Sequence, residues 1–350
     1  MARNNSKNNS ILVSKYPSIS VAIATYNSGD LIERCLKDLR SQNYPQEKIE
    51  IILGDGGSTD QTCAIAKKYK AKVVRIPKEK QHAEYNRGVA FNKGKGELSL
   101  IIDHDNYLPD RNWLKKMVKP LIEDPEIVAT TTCYYHYDRN FSLMDRYFAL
   151  FGTSEPLPFY LNKADRMMWG EKKWTLLGSA FDRGDYFKVR FKKDPRKVPS
   201  IGTNGTLMRT AIIKKHAKSD PDNHYPIDVM VDVVMKGYVY YGFVKTSIIH
   251  LTHSKGIWQF LKRRKRFVEH YHFEDNKKRR WSVVMKGDWP RVLLYVFYSI
   301  TFVVPFLHSI KGYLKVRDIA WFVHPFMCFG TTAIYTWVTI VYFLKSLNKK

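Results

Sequence analysis

The stretch LSLIIDHDNYLP, residues 98–109, decides the fold class, because an apolar run ends abruptly in two acids, Asp103 and Asp105. A short apolar run of this kind is typical of a buried strand. Two carboxylates this close repel each other unless a cation lies between them. That cation could be a neighbouring side chain or a metal, or bulk solvent could screen the pair, and the rest of the sequence has to decide.

Strands and helices alternate along the chain around this stretch. β-branched, apolar runs at 19–25, 49–54, 71–76, 97–102 and 126–132 are typical of strands, and 31–42, 60–70, 83–94 and 112–123 have helical spacing. The alternation predicts an α/β fold with βαβ crossovers and a mostly parallel sheet. Such sheets bind ligands beyond the carboxyl ends of their strands. Asn27, Asp55 and Asp103 follow strands one, two and four at that edge.

Composition narrows the class of partner. The 350 residues include 58 Lys+Arg against 33 Asp+Glu, a formal net charge of +25, which favours a polyanionic partner. No nucleic-acid recognition module is visible, so membrane and phosphate explain the charge better than nucleic acid. The four cysteines have neither metal-finger nor disulfide-framework spacing. Residues 1–17 are polar, lack the apolar core of a secretory signal and are expected to form a disordered tail.

The C-terminal region carries two apolar segments, Val292–Ile310 and Ile319–Leu344, without a formally charged residue. Each is long enough to span a bilayer as a helix, which takes about 20 residues. We therefore predict two transmembrane or membrane-inserted helices over 292–344, with buried core helices as the alternative. Pro305 and Pro325 favour kinks or an in-plane orientation over straight spans. Residues 256–291, with eleven Lys+Arg against four Asp+Glu, are predicted to be a basic juxtamembrane segment.

Three loops at the predicted sheet edge carry the chemistry: TYN (25–27), GDGGSTD (54–60) and DHDN (103–106). The glycines of the second loop let its backbone approach a flat ligand. Asp55 can accept from an N–H group of a nucleotide base, although an Asx-turn residue is the alternative reading. Asp103 and Asp105 are hard oxygen donors suited to Mg²⁺ or Mn²⁺, with a solvated acidic turn as the alternative.

These motifs, in this order and at these strand ends, resemble the GT-A fold of family 2 glycosyltransferases, inverting enzymes that use nucleotide-diphosphate sugars. The resemblance covers residues 18–132 well and 199–253 loosely, so a glycosyltransferase domain over 18–255 is expected. It implies that Thr25, Tyr26 and Asn27 contact the nucleotide and that Asp55 reads the base. It also implies that Asn86, which forms the N-x-G signature with Gly88, belongs to the nucleotide-sugar site. By the same resemblance, Asp103 lies toward ribose and metal, and Asp105 coordinates the metal. The common DDGS sequence reads DGGS here.

The catalytic base is less clear, because the Glu-Asp pair that the family uses is missing. Asp228 and Asp232, four residues apart on one predicted helix, are the candidates. A charge complementing the helix dipole is the alternative for Asp228, and a phosphate acceptor would need no base. His250 resembles a family histidine that faces metal or diphosphate, although it could simply pack. Asn204 could contact the acceptor or merely form a turn.

Arginines of the basic segment, Arg263 and Arg266 among them, would contact a diphosphate or a lipid phosphate, or only anchor the domain electrostatically. The apolar segments predict an enzyme anchored in the cell or inner membrane, and the basic residues that flank them predict that its catalytic domain lies in the cytoplasm. It would transfer sugar from a UDP- or GDP-sugar to a lipid or membrane-proximal glycan, using Mg²⁺ or Mn²⁺. The alternatives are a polyprenyl-phosphate sugar synthase resembling dolichyl-phosphate mannose synthase, and a non-catalytic scaffold that binds nucleotide and membrane.

Overall fold

The computed structural model describes residues 16–254, 256–269 and 279–347. The predicted tail over 1–17 therefore lies almost entirely outside the described residues, as does part of the basic segment. The described strands are β1 (Ile19–Thr25), β2 (Ile49–Asp55), β3 (Lys72–Arg75), β4 (Leu98–Ile101), β5 (Asn106–Tyr107), β6 (Ile127–Tyr135), β7 (Ser179–Asp182), β8 (Tyr186–Arg190), β9 (Thr206–Arg209) and β10 (Tyr240–His250).

The helices of the first part of the chain are α1 (Gly29–Arg40), α2 (Thr62–Lys68), α3 (Ala83–Lys93), α4 (Trp113–Glu123), α5 (Leu143–Phe151), α6 (Pro156–Tyr160), α7 (Thr210–His216) and α8 (Pro226–Met235). They are followed by α9 (Ile257–Val268), α10 (Trp289–Thr301), α11 (Val303–Lys315) and α12 (His324–Leu347). Every helix and strand predicted before residue 132 is present, with ends shifted by a few residues.

The strands form one sheet in the order β3-β2-β1-β4-β9-β6-β10-β8-β7, with β5 added beside β10. The predicted α/β fold is confirmed: β3, β2, β1 and β4 run parallel, and β6 pairs in parallel with β10. β9 joins these two groups antiparallel to both β4 and β6. Thr25 and Asp55 are paired at the carboxyl ends of β1 and β2, so the predicted loops do share one edge.

Apolar side chains cover both faces of the sheet. On one face, Leu36 and Leu39 of α1 and Trp113 of α4 pack in one core. On the other, Phe91 of α3 and Met230 of α8 belong to a second core. Burial on both faces explains why the strands read as nearly continuous apolar runs.

The first predicted membrane segment is not a single helix, which corrects the expectation of two helices over 292–344. It is divided into α10 and α11, whose axes differ by 80°. The break falls at Phe302, whose φ of 61° is left-handed. Pro305 lacks the N–H group that would bond the carbonyl of Thr301 in a continuous helix, which accounts for the break at this position.

The second predicted segment contains the one described helical stretch long and apolar enough to cross a membrane by itself, Ile319–Lys345. Only 28% of its most apolar window is buried inside the protein. Its inner side contributes Trp321 and Met327 to a cluster with Phe148 and Phe151 of α5 and Phe260 of α9. The outward sides of the three C-terminal helices expose large apolar side chains, including Leu293, Phe297, Ile300, Leu307, Phe329, Trp337, Ile340 and Phe343.

Candidate active site

A pocket of about 470 Å³ opens beside the carboxyl edge of the sheet. Of the predicted site residues, Asp103, Asp105, His250 and Asn204 line it. The lining also includes residues of α6, of α9 and of the segment 279–283. The pocket therefore joins the nucleotide-type loops to the part of the chain that packs against the C-terminal helices.

Each of the two acids of the DHDN loop has a basic side chain beside it. Arg87 Nη2 donates to Asp103 Oδ1 at 2.6 Å, and His250 Nε2 lies 3.7 Å from Asp105 Oδ2. Burial would raise the pKa of Asp105, but the charge and hydrogen bond of His250, together with His104, lower it to about 2. Asp105, with help from Asp103, raises the pKa of His250 against the effect of its own burial. The loop thus presents an ionised carboxylate beside an imidazole.

This arrangement fits a divalent cation held partly by substrate. Asp105 would supply an oxygen ligand, and His250 would supply a nitrogen ligand in its neutral form. Mg²⁺ or Mn²⁺ commonly takes its remaining ligands from phosphate and water. Asp103 is directed to Arg87 instead, so its predicted metal contact requires that ion pair to open. Within residues 16–254, 256–269 and 279–347, no group of three or more His, Cys, Asp or Glu side chains is preassembled for a metal.

Asp55 is fully buried at the head of its glycine-rich turn. Its Oδ2 accepts from the backbone N–H groups of Gly57 at 3.2 Å and Ser58 at 3.1 Å. Arg75 lies 3.3 Å from the same oxygen. These contacts match the alternative of a turn-forming aspartate, and reading a base with this carboxylate would require the loop to rearrange. The role in base recognition stays a prediction.

The loop TYN is tied to the glycine-rich turn. Thr25 Oγ1 donates to Asp55 Oδ1 at 3.4 Å, and Asn27 Oδ1 accepts from the N–H of Thr59 at 2.9 Å. Tyr26 is exposed beside these contacts. Among the described residues, the three members of TYN lie next to the pocket rather than in its lining, which includes their neighbour Ala24.

The N-x-G signature packs α3 closely against the sheet edge. A Cβ atom on Gly54 would lie 1.9 Å from the backbone oxygen of Asn86, and one on Gly88 would lie 2.7 Å from the Cβ of His224. Asn86 is itself buried beside Gly56. The motif therefore serves close packing, and it places Arg87 where it reaches Asp103. The part of Asn86 in nucleotide-sugar binding stays a prediction.

The two predicted bases of α8 are held in ion pairs. Asp228 is fully buried and lies 3.0 Å from Arg279 Nη2, and it accepts from the N–H of Arg280 at 2.7 Å. Asp232 pairs with the Arg280 side chain at 3.0 Å. In the described part of the chain neither carboxylate lines the pocket, whereas Arg279 does. Their role as bases remains a prediction that would require Arg279 or Arg280 to move.

The two arginines of α9 that were predicted to contact phosphate, Arg263 and Arg266, do not line the described pocket. Arg263 donates to the carbonyl of Thr252 at 2.8 Å and to Ser254 Oγ at 3.1 Å, so it supports the loop after β10. Arg266 is exposed outside the described pocket lining. Arg264 lines the pocket instead, where it pairs with Glu155 and donates to Tyr335 of α12 at 3.1 Å.

Sequence reasoning did not single out four charged residues of the pocket lining, Glu84, Arg87, Glu155 and Asp165, and it treated Arg264 and Arg279 only as members of the basic segment. Arg87 had one usable signal, its position inside N-x-G. The two later arginines stand in a basic run whose members are indistinguishable by sequence. Asp165 belongs to the segment 134–200, which lacks clear periodicity, and such long segments are frequently functional.

The architecture and the position of the pocket define a class of protein, the transferases with a GT-A fold. The fold is similar to that of a mannosyltransferase from Pyrobaculum calidifontis, solved with GDP-mannose and Mn²⁺, with a TM-score of 0.50 at 16% identity over 92% of this chain and 86% of that one. Residues 20–216 match the model of glycosyl transferase family 2. The chain belongs to glycosyl transferase family 2.

Two curated relatives are similar over part of the chain. Glycosyltransferase AglE of Haloferax volcanii is 30% identical over 114 residues, covering 31% of this chain and 37% of that protein. A dolichyl N-acetyl-α-D-glucosaminyl phosphate 3-β-D-2,3-diacetamido-2,3-dideoxy-β-D-glucuronosyltransferase of Methanococcus voltae is 31% identical over 108 residues, covering 29% and 33%. The chain thus matches about a third of the length of each relative.

Proposed function

We propose that this protein is a membrane-anchored, inverting glycosyltransferase. It transfers a sugar from a UDP- or GDP-sugar to a lipid or membrane-proximal glycan acceptor. The observation that carries the proposal is the pairing of Asp105 with His250 in a pocket that is also lined by α9, a helix that packs against the C-terminal apolar helices. The family membership supports the transferase class.

The proposal of a nucleotide-sugar donor is supported by the acidic DHDN loop. A divalent ion held by Asp105 and His250 would supply positive charge to the departing nucleoside diphosphate. Arg87 meanwhile neutralises Asp103, so the two acids can remain ionised side by side. The solved mannosyltransferase with the similar fold contains GDP-mannose and Mn²⁺, which supports the same class of donor and cofactor here.

The proposal that the acceptor lies in the membrane is supported by direct contacts between the pocket and the apolar helix α12. Tyr335 of α12 donates to Glu155 at 3.1 Å and accepts from Arg264, and both charged residues line the pocket. Trp258 of α9 and Trp289 of α10 are 84% and 60% exposed. Tryptophan is enriched where a membrane meets water. An acceptor held in the membrane would therefore enter a pocket whose wall is already at the bilayer surface.

The test is Asp105→Asn in purified protein in lipid nanodiscs, with release of nucleoside diphosphate measured across UDP- and GDP-sugars. We expect the wild type to require Mg²⁺ or Mn²⁺, and the variant to lose about 100-fold in rate, the effect of removing about 3 kcal/mol of transition-state stabilisation. Asp110→Asn is the matched control, because Asp110 is a more exposed carboxylate of the same loop, paired with Lys116 at 2.8 Å. A wild-type rate for Asp105→Asn with Mn²⁺ present would refute the metal assignment.

A further inference from the structure

We propose that Asp165 is the general base of the transfer, and that Asp165 and Asn204 together select a hydroxyl group, as on a saccharide, over a bare phosphate as acceptor. This inference rests on the proposed glycosyl transfer and specifies its acceptor. It is carried by the position of Asp165 in the pocket and by an unpaired oxygen of Asn204 beside it.

Asp165 lies in the pocket next to the acidic loop. Its carboxylate accepts a hydrogen bond from the hydroxyl of Tyr135, the last residue of β6. The ring of Tyr135 is 5.6 Å from that of His250, centroid to centroid. Asp165 is therefore separated from the Asp105–His250 pair by one side chain, that of Tyr135, and it lines the same pocket.

Asn204 contributes the second polar group and is held in one orientation. Its Nδ2 donates to the hydroxyl of Tyr135 at 2.9 Å, and its backbone oxygen accepts from Arg166 Nη2 at 2.7 Å. The opposite side-chain atom, Oδ1, is buried and has no hydrogen-bond partner within the described part of the chain. A buried acceptor without a donor costs free energy, so a ligand that donates a hydrogen bond would be stabilised here.

The charges of the pocket disfavour a second phosphate. Each arginine in the described lining already pairs with a carboxylate: Arg87 with Asp103, Arg264 with Glu155, and Arg279 with Asp228. Glu84 and Asp165 add further negative charge to the same lining. A phosphate dianion would meet further negative charge and the unpaired amide oxygen of Asn204, whereas a hydroxyl group can donate a hydrogen bond to that oxygen.

Asp165 is better placed as a base than Asp228. The carboxylate of Asp228 is saturated by Arg279 and the backbone of Arg280, while Asp165 reaches the pocket. Burial raises the pKa of Asp165, opposed by the charge of Arg166 and the hydrogen bond from Tyr135. A raised pKa brings a carboxylate closer to the operating pH, which improves a general base.

The step balances without a further reactant. The acceptor hydroxyl gives its proton to the Asp165 carboxylate as its oxygen forms the bond to the anomeric carbon of the donor sugar. The bond from that carbon to the nucleoside diphosphate breaks, and its electron pair leaves with the diphosphate. Asp165 later returns the proton to solvent.

The decisive variant is Asp165→Asn, because the amide oxygen can still accept from Tyr135 while the side chain can no longer take a proton. We expect transfer to fall at least about 100-fold, the usual range for loss of a general base, with nucleotide affinity in Mn²⁺ within twofold of wild type. Asp222→Asn is the matched control, since Asp222 is exposed outside the pocket. Nucleotide affinity also reports folding, and Asp165→Ser is the second variant if the first does not fold.

Two results would overturn the assignment of the base: transfer by Asp165→Asn within fivefold of wild type, or a loss of transfer that follows weaker nucleotide binding. Product linkage tests the acceptor separately. The product is formed from radiolabelled donor and cell membranes and is then treated with mild acid. We expect the labelled sugar to remain joined to another sugar unit after this treatment. Release as free monosaccharide would show a sugar phosphate and would contradict the inference while leaving glycosyl transfer intact. Absence of any labelled product would instead contradict the proposed function.

Discussion

Arg279 and Asp228 form a buried ion pair, with 3.0 Å between Nη2 and Oδ1, although 51 residues separate them in the chain. The pair joins the basic segment before the C-terminal helices to the first turn of α8. Arg279 also lies over the ring of Tyr225, 4.9 Å from its centroid. The basic segment is therefore part of the pocket wall and is more than an electrostatic anchor at the described positions 279–283.

Arg279→Met should destabilise the protein strongly. Asp228 would remain buried with a charge and only backbone compensation, and removing one partner of a buried ion pair typically costs about 3 kcal/mol or more. Thermal unfolding in detergent measures the effect. Lys68→Met is the matched control, because its pair with Glu33 is exposed and exposed pairs contribute little to stability. Equal losses for both variants would show that Asp228 is not a buried, paired carboxylate.

The sequence predicted the strands and helices before residue 132 because their periodicity is local and each element buries a face readable from its own residues. It also placed Asp55, Asp103 and Asp105 at one edge, since parallel strands carry their carboxyl ends together. The ion pairs of the site could not be predicted from the sequence. Arg87 lies 16 residues from Asp103, and several nearby basic residues have the same local pattern as Arg279.

In the C-terminal helices, the sequence predicted the apolar segments but not how the backbone bends. Composition identified the apolar segments, but an apolar run does not reveal a single left-handed residue such as Phe302. Pro305 predicts a kink, and the helix does bend there, but its angle of 80° could not be predicted from the sequence. Asp165 was missed because its importance arises from Tyr135 and Asn204, which approach it from β6 and from the turn before β9.

Gly54→Ala should be much more harmful than Gly57→Ala. The added Cβ at position 54 would lie 1.9 Å from the oxygen of Asn86, a backbone atom that cannot move without displacing α3. Overpacking of this kind costs about 1–3 kcal/mol or more. Gly57 meets nothing within 4 Å, and only its φ of +90° opposes a side chain, at about 1–2 kcal/mol. Melting temperatures and nucleotide affinity of the two variants provide the comparison, and a greater loss for Gly57→Ala would contradict the packing of α3 on β2.

Stability should fall as the solution is acidified, in part because of His224. Burial, with the charge of Arg87, lowers the pKa of His224 to about 3, against about 6.5 in the unfolded chain. The unfolded state then binds the proton first, so the stabilisation is present above pH 6.5 and is lost as the pH falls toward 3. Between pH 7 and 5 the loss is about 2 kcal/mol.

His224→Phe removes this titration while keeping an aromatic ring beside Phe91, whose centroid is 4.8 Å from that of His224. We expect the free energy of unfolding of the variant to change less than that of the wild type between pH 7 and 5. The difference between the two proteins isolates His224 from the carboxylates that also titrate in acid. Parallel pH curves for both would show that the imidazole is not held neutral in the folded state.

The exposed apolar side of α10 should lie within the bilayer. Leu293, Phe297 and Ile300 recur at positions four and three apart, so they share one helix face, and each is at least 60% exposed. A face of this kind is stable where it is covered by lipid. In a Cys63→Ser background, Phe297→Cys in lipid nanodiscs should react with a membrane-impermeant maleimide an order of magnitude more slowly than Lys236→Cys, an exposed position at the end of α8. Native Cys35, Cys133 and Cys328 are buried and should contribute little background. Equal labelling of both positions would place α10 in water, and the pocket would then lose its proposed position at the membrane surface.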